Sequence, residues 1–309
     1  MYTEKRKVTI IGAGFVGSTS AFSIISSQTV DEVALIDVNS ALAKSQAMDL
    51  QHSIPFWGQC HVKAGTYSDI RDSQVVVITA GANQKPGETR LDLIQKNGAI
   101  ISGIGKKIFA ENPKVIVVVV TNPVDVLTYR LVSMFPKKAG QIFGTGTILD
   151  TARLRFLLGD ELNVHPNNVH AYIMGEHGDS EFPVWSTANI GQVPLHKYPG
   201  YSRRKMDEVF EKAKNAAYAI IAGKQATYYA IASGVTMIVG AIFGNKHAVL
   251  PVSTLLHNYH GVSNICLSVP SIVCKKGVCE TLKLTLNSME KKQLKNSARV
   301  IKQAAKKLK

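Results

Sequence analysis

Three residue types with complementary chemistry fall in two short stretches of the chain. One is Asp150-Thr151-Ala152-Arg153 and the other is Gly175-Glu176-His177-Gly178-Asp179. Residues three apart share one face of a helix, so Asp150 and Arg153 point the same way. A histidine set between two glycines in a tight turn has its ring pushed out to where a substrate could approach. A carboxylate, an imidazole and a guanidinium can together move one proton onto a carbonyl oxygen while gripping a carboxylate group. Arg155 lies two residues beyond Arg153, so it faces the other side of that helix and needs a different job. His170 lies in an alternating stretch, Asn168 to Met174, opposite Val169, Ala171 and Ile173. A histidine so placed on a strand is most often a structural residue.

The elements that must position these groups begin at the N-terminus. Val8-Thr9-Ile10-Ile11 reads as a buried strand and runs straight into Gly12-Ala13-Gly14-Phe15-Val16-Gly17 and a small-residue helix. A second apolar run, Val33 to Ile36, ends in Asp37. A lone glycine pattern marks only a tight turn, but between a strand and a helix, with an acid at the end of the next strand, it indicates a dinucleotide site. The glycines let a pyrophosphate approach backbone N–H groups at the helix N-terminus. Asp37 would accept hydrogen bonds from ribose hydroxyls and repel a 2′-phosphate, which favours NAD over NADP.

Gly65 to Asp69 reads as a polar connection, Val75 to Thr79 as the next strand, and Val115 to Val120 as another, ending in Thr121-Asn122-Pro123-Val124-Asp125. Continuous Val/Ile runs alternating with helical segments predict a parallel sheet covered on both faces. Ligands bind such sheets at the carboxyl ends of the strands, where Gly12, Asp37, Gly81 and Asn122 fall. The Gly81 to Asp92 stretch, with Pro86-Gly87 at its centre, reads equally as an active-site lid or an ordinary exposed loop. The second half reads as mixed α+β. It has a long helical region from Val209 to Ser233, two strands expected to pair antiparallel at Ala248 to Ser253 and Ile265 to Pro270, and a terminal helix.

A chain of 309 residues, 45% hydrophobic, can bury a core large enough for two subdomains that share a cleft. The absence of a signal-peptide pattern and of any apolar run near the roughly 20 residues of a membrane span predicts a soluble, intracellular protein. Cys60, Cys266, Cys274 and Cys279 lack metal-ligand spacing, so reduced thiols and no metal site are expected. The net charge of +14 is concentrated near the C-terminus, where Lys291, Lys292, Lys295, Arg299, Lys302, Lys306, Lys307 and Lys309 face only Glu290. Leu294, Ala298, Ile301, Ala305 and Leu308 recur there at helical spacing, which predicts an amphipathic helix docked on the body with a solvated cationic face. A nucleic-acid arm is the rival reading, disfavoured because no aromatic residues are interleaved. There is no internal repeat or low-complexity linker, so the two halves are expected to share a continuous interface.

Five motifs, in order along almost the whole chain, resemble the bacterial L-lactate dehydrogenases of the lactate/malate dehydrogenase family. They are Gly12 to Gly17, Ala80 to Arg90, Thr121 to Asp125, Leu149 to Arg153 and Gly175 to Asp179. The resemblance implies an α/β fold: an N-terminal Rossmann domain with a doubly wound parallel sheet over 1–145, and a mixed α+β catalytic domain over 146–309. It implies a cytoplasmic enzyme, associated into homodimers or homotetramers, that reduces pyruvate reversibly to L-lactate with NADH.

By the same resemblance His177 would donate the proton, with Asp150 holding its other ring nitrogen. Arg153 would bind the substrate carboxylate and Arg90 would polarise the carbonyl. Asn122 would hydrogen-bond near the carbonyl and nicotinamide, and Thr227 would line the pocket. Gly12, Gly14, Val16, Gly17, Asp37, Tyr67, Gly81, Ala82 and Asn122 would hold NAD. Gln84 stands where malate dehydrogenases carry an arginine, and a neutral residue there leaves oxaloacetate's second carboxylate unpaired, at a cost of several kcal/mol. A malate or other 2-hydroxyacid dehydrogenase is therefore the disfavoured enzymatic alternative, and a polyanion binder on the same fold is the alternative from another class. Arg155 and His170 match positions that bind fructose 1,6-bisphosphate at a subunit interface in the activated members. Two departures stand out: Gly98, Gly103 and Gly105 in the helix after the loop, expected to soften it, and Leu42 where relatives often place a basic residue near the cofactor.

Overall fold

The computed structural model describes residues 5–82 and 90–308, apart from the side chains of Arg90 and Leu91. The first half alternates strand and helix: β1 (Lys7–Ile11), α1 (Phe15–Ser26), β2 (Glu32–Ile36), α2 (Ser40–Trp57), β3 (His61–Ala64), β4 (Val75–Ile78), α3 (Arg90–Glu111), β5 (Ile116–Val119), α4 (Val124–Met134) and β6 (Ile142–Gly144). The second half follows with α5 (Ile148–Glu161), five two-residue strands and three longer ones. The short strands are β7 (Val169–His170), β8 (Ile173–Met174), β9 (Phe182–Pro183), β10 (Asn189–Ile190) and β11 (Val193–Pro194). Then come α6 (Arg203–Lys224), α7 (Tyr229–Phe243), β12 (Ala248–Leu255), β13 (Cys266–Cys274), β14 (Gly277–Thr281) and α8 (Ser288–Ala305).

One sheet runs through both halves in the order β14-β13-β12-β6-β5-β4-β1-β2-β3. Strands β1 to β6 are parallel, and their order reverses direction at β1, as in a doubly wound fold. The antiparallel β12–β13–β14 set joins at the single pairing of Ser253 with Gly144. The halves are therefore continuous, as their lack of a linker predicts. Both faces of the parallel strands are buried, which explains their unbroken Val/Ile composition. On one face Val8, Ile10, Val75, Val77 and Val118 pack with Ile24 of α1 and Ile238 of α7. On the other, Ile11, Val76, Ile78, Val117 and Val119 pack with Ile101 of α3 and Leu127 of α4.

Several sequence expectations change. β3 and β6 are parallel strands that the sequence did not reveal, because His61-Val62-Lys63-Ala64 is polar and Ile142-Phe143-Gly144 is short. The Gly65 to Asp69 connection contains a 3-10 turn, Tyr67–Ile70, closed by a capping box between Thr66 and Asp69. The helical region expected over Val209 to Ser233 is two helices, broken where Gln225 takes a left-handed φ of 71°. The strand expected over Asn168 to Met174 is the separate pair β7 and β8, although Val169, Ala171 and Ile173 are buried and His170 exposed as its alternation requires. Cys274 and Cys279, expected as reduced thiols, form a disulfide: the tight β13–β14 turn brings their Cα atoms to 6.2 Å. Cys60 and Cys266 are free.

Two of the three α3 glycines have a packing reason, while a Cβ at Gly103 would meet nothing within 4 Å. A Cβ at Gly105 would lie 2.5 Å from Leu131 of α4, and one at Gly98 would lie 2.4 Å from Leu308. Gly98 and Gly105 thus permit close approach of Leu308 and Leu131. The basic terminal helix α8 does dock on the body, burying Leu294, Ala298 and Ile301.

Candidate active site

The glycine-rich turn follows β1 directly. Gly12 has a φ of 107°, and a Cβ there would lie 2.6 Å from the Ala80 nitrogen. A Cβ on Gly17 would collide with the Gly12 carbonyl oxygen at 1.8 Å, so that glycine lets α1 press against the turn. Gly14 is different: a Cβ there would meet nothing within 4 Å, so the turn opens outward at the start of α1. No side chain caps α1, whose first N–H groups are therefore free to meet an anion, with the helix dipole favouring negative charge. Asp37 follows β2 and accepts hydrogen bonds from the Ala13 and Asn39 nitrogens at 2.7 and 2.8 Å. It thereby ties the glycine turn to the second strand and holds a carboxylate beside it. A dinucleotide fits this donor set.

A cleft of about 290 Å³ lies at the carboxyl ends of the parallel strands. Val16, Gly81, Ala82, Asn122, His177 and Thr227 all line it, drawn from both halves of the chain. Thr227 reaches it because the chain breaks between α6 and α7. Asn97 of α3, 2% exposed, organises one wall. Its amide accepts from the Ala82 nitrogen at 2.7 Å and donates to the Asn122 carbonyl at 2.9 Å. Nothing in the local pattern singles it out, since an asparagine inside a helix has no motif of its own. Tyr67 sits apart from this wall, half-buried at the end of β3 with Lys107 over its ring at 4.7 Å. Gln84 lies outside the described residues, as does the side chain of Arg90, which begins α3.

His177 and Asp150 meet at the cleft. The ring Nδ1 lies 2.5 Å from Asp150 Oδ2, and the His177 backbone N–H donates to Asp125 Oδ2 at 2.7 Å. Nδ1 is thus engaged, which leaves Nε2 as the ring nitrogen for a ligand in the cleft. Asp150 is buried, and Arg153, one helical turn along α5, donates from Nη1 to its other oxygen at 3.1 Å. Burial alone would lower the His177 pKa, but the charge and hydrogen bond of Asp150, with Asp125 behind, raise it to about 9. Burial opposes ionisation of Asp150 too, yet the imidazolium and Arg153 hold its pKa below the ordinary value.

The turn carrying His177 is anchored from two sides. Gly175 pairs with Ser268 of β13 in both directions, at 3.0 and 2.9 Å. Ser297 of α8 donates to the Ser180 carbonyl at 2.6 Å, and a Cβ on Gly175 would lie 2.5 Å from that hydroxyl. Arg155 turns away from the cleft, as the spacing requires. Its Nε donates to the Ala171 carbonyl at 2.9 Å and its guanidinium covers the Tyr172 ring, beside the exposed His170.

Residues 6–144 match the model of the lactate/malate dehydrogenase NAD binding domain, and residues 147–309 match that of the lactate/malate dehydrogenase alpha/beta C-terminal domain. The chain belongs to the lactate/malate dehydrogenase family. Its cofactor is NAD, in keeping with the glycine turn and Asp37. Among curated relatives, it is 45% identical to the L-lactate dehydrogenase of Acetivibrio thermocellus over 98% of this chain and 97% of that one. It is 46% identical to the L-lactate dehydrogenase of Priestia megaterium over 98% and 96%. A solved structure of the minor L-lactate dehydrogenase from Enterococcus mundtii is 40% identical and superposes with a TM-score of 0.96 over 99% of each chain.

Proposed function

We propose that the chain is an NAD-dependent L-lactate dehydrogenase that reduces pyruvate reversibly to L-lactate, and that fructose 1,6-bisphosphate activates it. One observation carries the reading: an imidazole held at 2.5 Å by a buried carboxylate, with an arginine on the same carboxylate, at the lining of the cleft. The relatives named L-lactate dehydrogenase support the substrate choice.

The bound NADH supplies the hydride. Gly12, Gly14, Val16, Gly17 and Asp37 would hold its adenosine and pyrophosphate end, with Tyr67 nearby, while Gly81, Ala82 and Asn122 would hold the end in the cleft. His177, kept as imidazolium by Asp150, donates its Nε2 proton to the ketone oxygen and takes it back when lactate is oxidised. Arg153 grips the substrate carboxylate; its fork offers five N–H donors, so the contact to Asp150 leaves several for the ligand. Arg90 polarises the carbonyl, Asn122 orients it, and Thr227 closes the far wall. We assign residues 1–145 to the NAD-binding domain and 146–309 to the catalytic domain, and place the enzyme in the cytoplasm.

Gln84 sets the substrate. An uncompensated carboxylate in a partly desolvated pocket costs several kcal/mol, so oxaloacetate is rejected and pyruvate's methyl is not. Initial rates of NADH oxidation with each acid test this. We expect pyruvate to win by orders of magnitude, and Gln84→Arg to shift the preference towards oxaloacetate. Equal selectivity in enzyme and variant would refute the assignment.

The effector reading rests on Arg155 and His170 sharing one surface away from the cleft. We further propose a homodimer or homotetramer. The adjoining helices α1, α2 and α7 expose Phe15, Met48, Phe56, Tyr229 and Met237, the most exposed being Phe56 at 82%, which is more apolar surface than a lone subunit needs to present.

A further inference from the structure

Glu181 is absent from every role above, yet it lies in the reacting cluster. It ends the turn that carries His177 and is 7% exposed. A nitrogen of His177 and carboxylate oxygens of Asp150 and Glu181 all lie within 4.8 Å of one another. Among the described residues, the buried Glu181 Oε1 has no hydrogen-bond partner. A buried carboxylate without a partner is costly, and a purely structural role would be served better by an apolar or amide side chain.

The charged groups around it are few. From α5 come Asp150, which opposes its ionisation, and Arg153, which favours it; His177 favours it from the same turn. From α6 comes Lys214, whose Nζ donates to the Asp179 carbonyl at 2.8 Å. Asp125 of α4 accepts from the His177 backbone nitrogen. The helix α8, which packs on β9, presents the uncharged Ser297 to this turn.

We propose that Glu181 is a positioning residue for proton transfer, a second carboxyl that together with Asp150 sets how firmly the His177 imidazole holds its proton. The inference rests on the lactate dehydrogenase reading of the site. Near neutrality burial and the Asp150 charge keep Glu181 protonated, its pKa raised to about 8. Asp150 is then the close counterion of the imidazolium. As pH rises Glu181 ionises first, and its charge adds to that of Asp150 just where His177 would otherwise begin to release its proton. Because these groups interact, their protons leave in steps that belong to the cluster. The consequence is a working range for pyruvate reduction extended to higher pH.

The test compares holoenzyme and Glu181→Gln, which keeps the shape and removes the charge. The profile of kcat/KM for pyruvate falls on its alkaline limb as His177 deprotonates, and that for L-lactate rises over the same group. An opposite charge within about 4–6 Å moves a pKa by 1–3 units. We expect both limbs of the variant to move to lower pH together, by about one unit, given the partial screening at the cleft. A merely structural role would lower the rates and leave the limbs in place, and unmoved limbs in an active variant overturn the proposal while leaving the enzyme's function standing. Failure of the unsubstituted enzyme to turn over pyruvate overturns both. Should Glu181→Gln not fold, an NMR titration of the His177 ring in the unsubstituted holoenzyme decides. Two steps in the ring's titration support the proposal, and a single step overturns it.

Discussion

At the scale of single residues, the site depends on the competition that sets the His177 charge. Burial favours the neutral ring, and the bonded Asp150 carboxylate outweighs it. The raised pKa has a definite sign: the proton-donating form persists through neutral pH and is lost only as pH rises through about 9. Asp150→Asn removes the charge while keeping an oxygen near Nδ1. The histidine should then return to its ordinary value of about 6.5 or below. Pyruvate kcat/KM at pH 7.5 should drop by at least about tenfold from protonation alone, with the alkaline limb moved to lower pH. An unmoved limb would mean that Asp150 only fixes the ring. The types and spacing of Asp150, Arg153 and His177 made this chemistry legible in the sequence. Asn97 and Glu181 were not legible, because their significance comes from what burial leaves paired or unpaired, which no local pattern records.

At the scale of elements, α8 matters more than its surface charge suggests. Its Ser297 pins the turn carrying His177, and its start is closed by a capping box between Asn287 and Glu290, with both reciprocal bonds at 2.9 Å. Glu290 is 3% exposed and also accepts from the Ser186 nitrogen and hydroxyl at 2.9 and 2.6 Å. Asn287→Ala should cost about 1 kcal/mol in a urea unfolding transition; an unchanged midpoint would show that Ser186 alone holds Glu290. The amphipathic spacing of this helix was readable, as were the buried Val/Ile strands, because periodicity reports burial directly. Its contact with the catalytic turn was not, since Ser180 and Ser297 are more than a hundred residues apart. Likewise β3 was hidden because Lys63, on a parallel strand, joins Glu32 and Asp69 in ion pairs rather than an apolar core.

At the scale of the whole molecule, one continuous sheet carries the glycine turn and Asp37 on its parallel part, and the turn of His177 pairs with its antiparallel extension. The surfaces proposed for an effector and for self-association are distinct. Arg155 and the exposed His170 belong to the first, and the exposed side chains of α1, α2 and α7 to the second. Gathered at a subunit interface, such basic side chains would be bridged by a bisphosphate, which would favour the assembled state. Fructose 1,6-bisphosphate should therefore raise the rate at low pyruvate, and Arg155→Gln should remove that response. Activation that survives the substitution would place the effector elsewhere.

On the proposed mechanism His177, held protonated by Asp150, delivers a proton to pyruvate. The most direct measurement is kcat/KM for pyruvate in the unsubstituted enzyme across roughly pH 6 to 10.5. The predicted result is a plateau through neutrality that falls by about tenfold per unit once pH passes about 9. Turnover indifferent to pH over that range, or none with pyruvate at all, would contradict it.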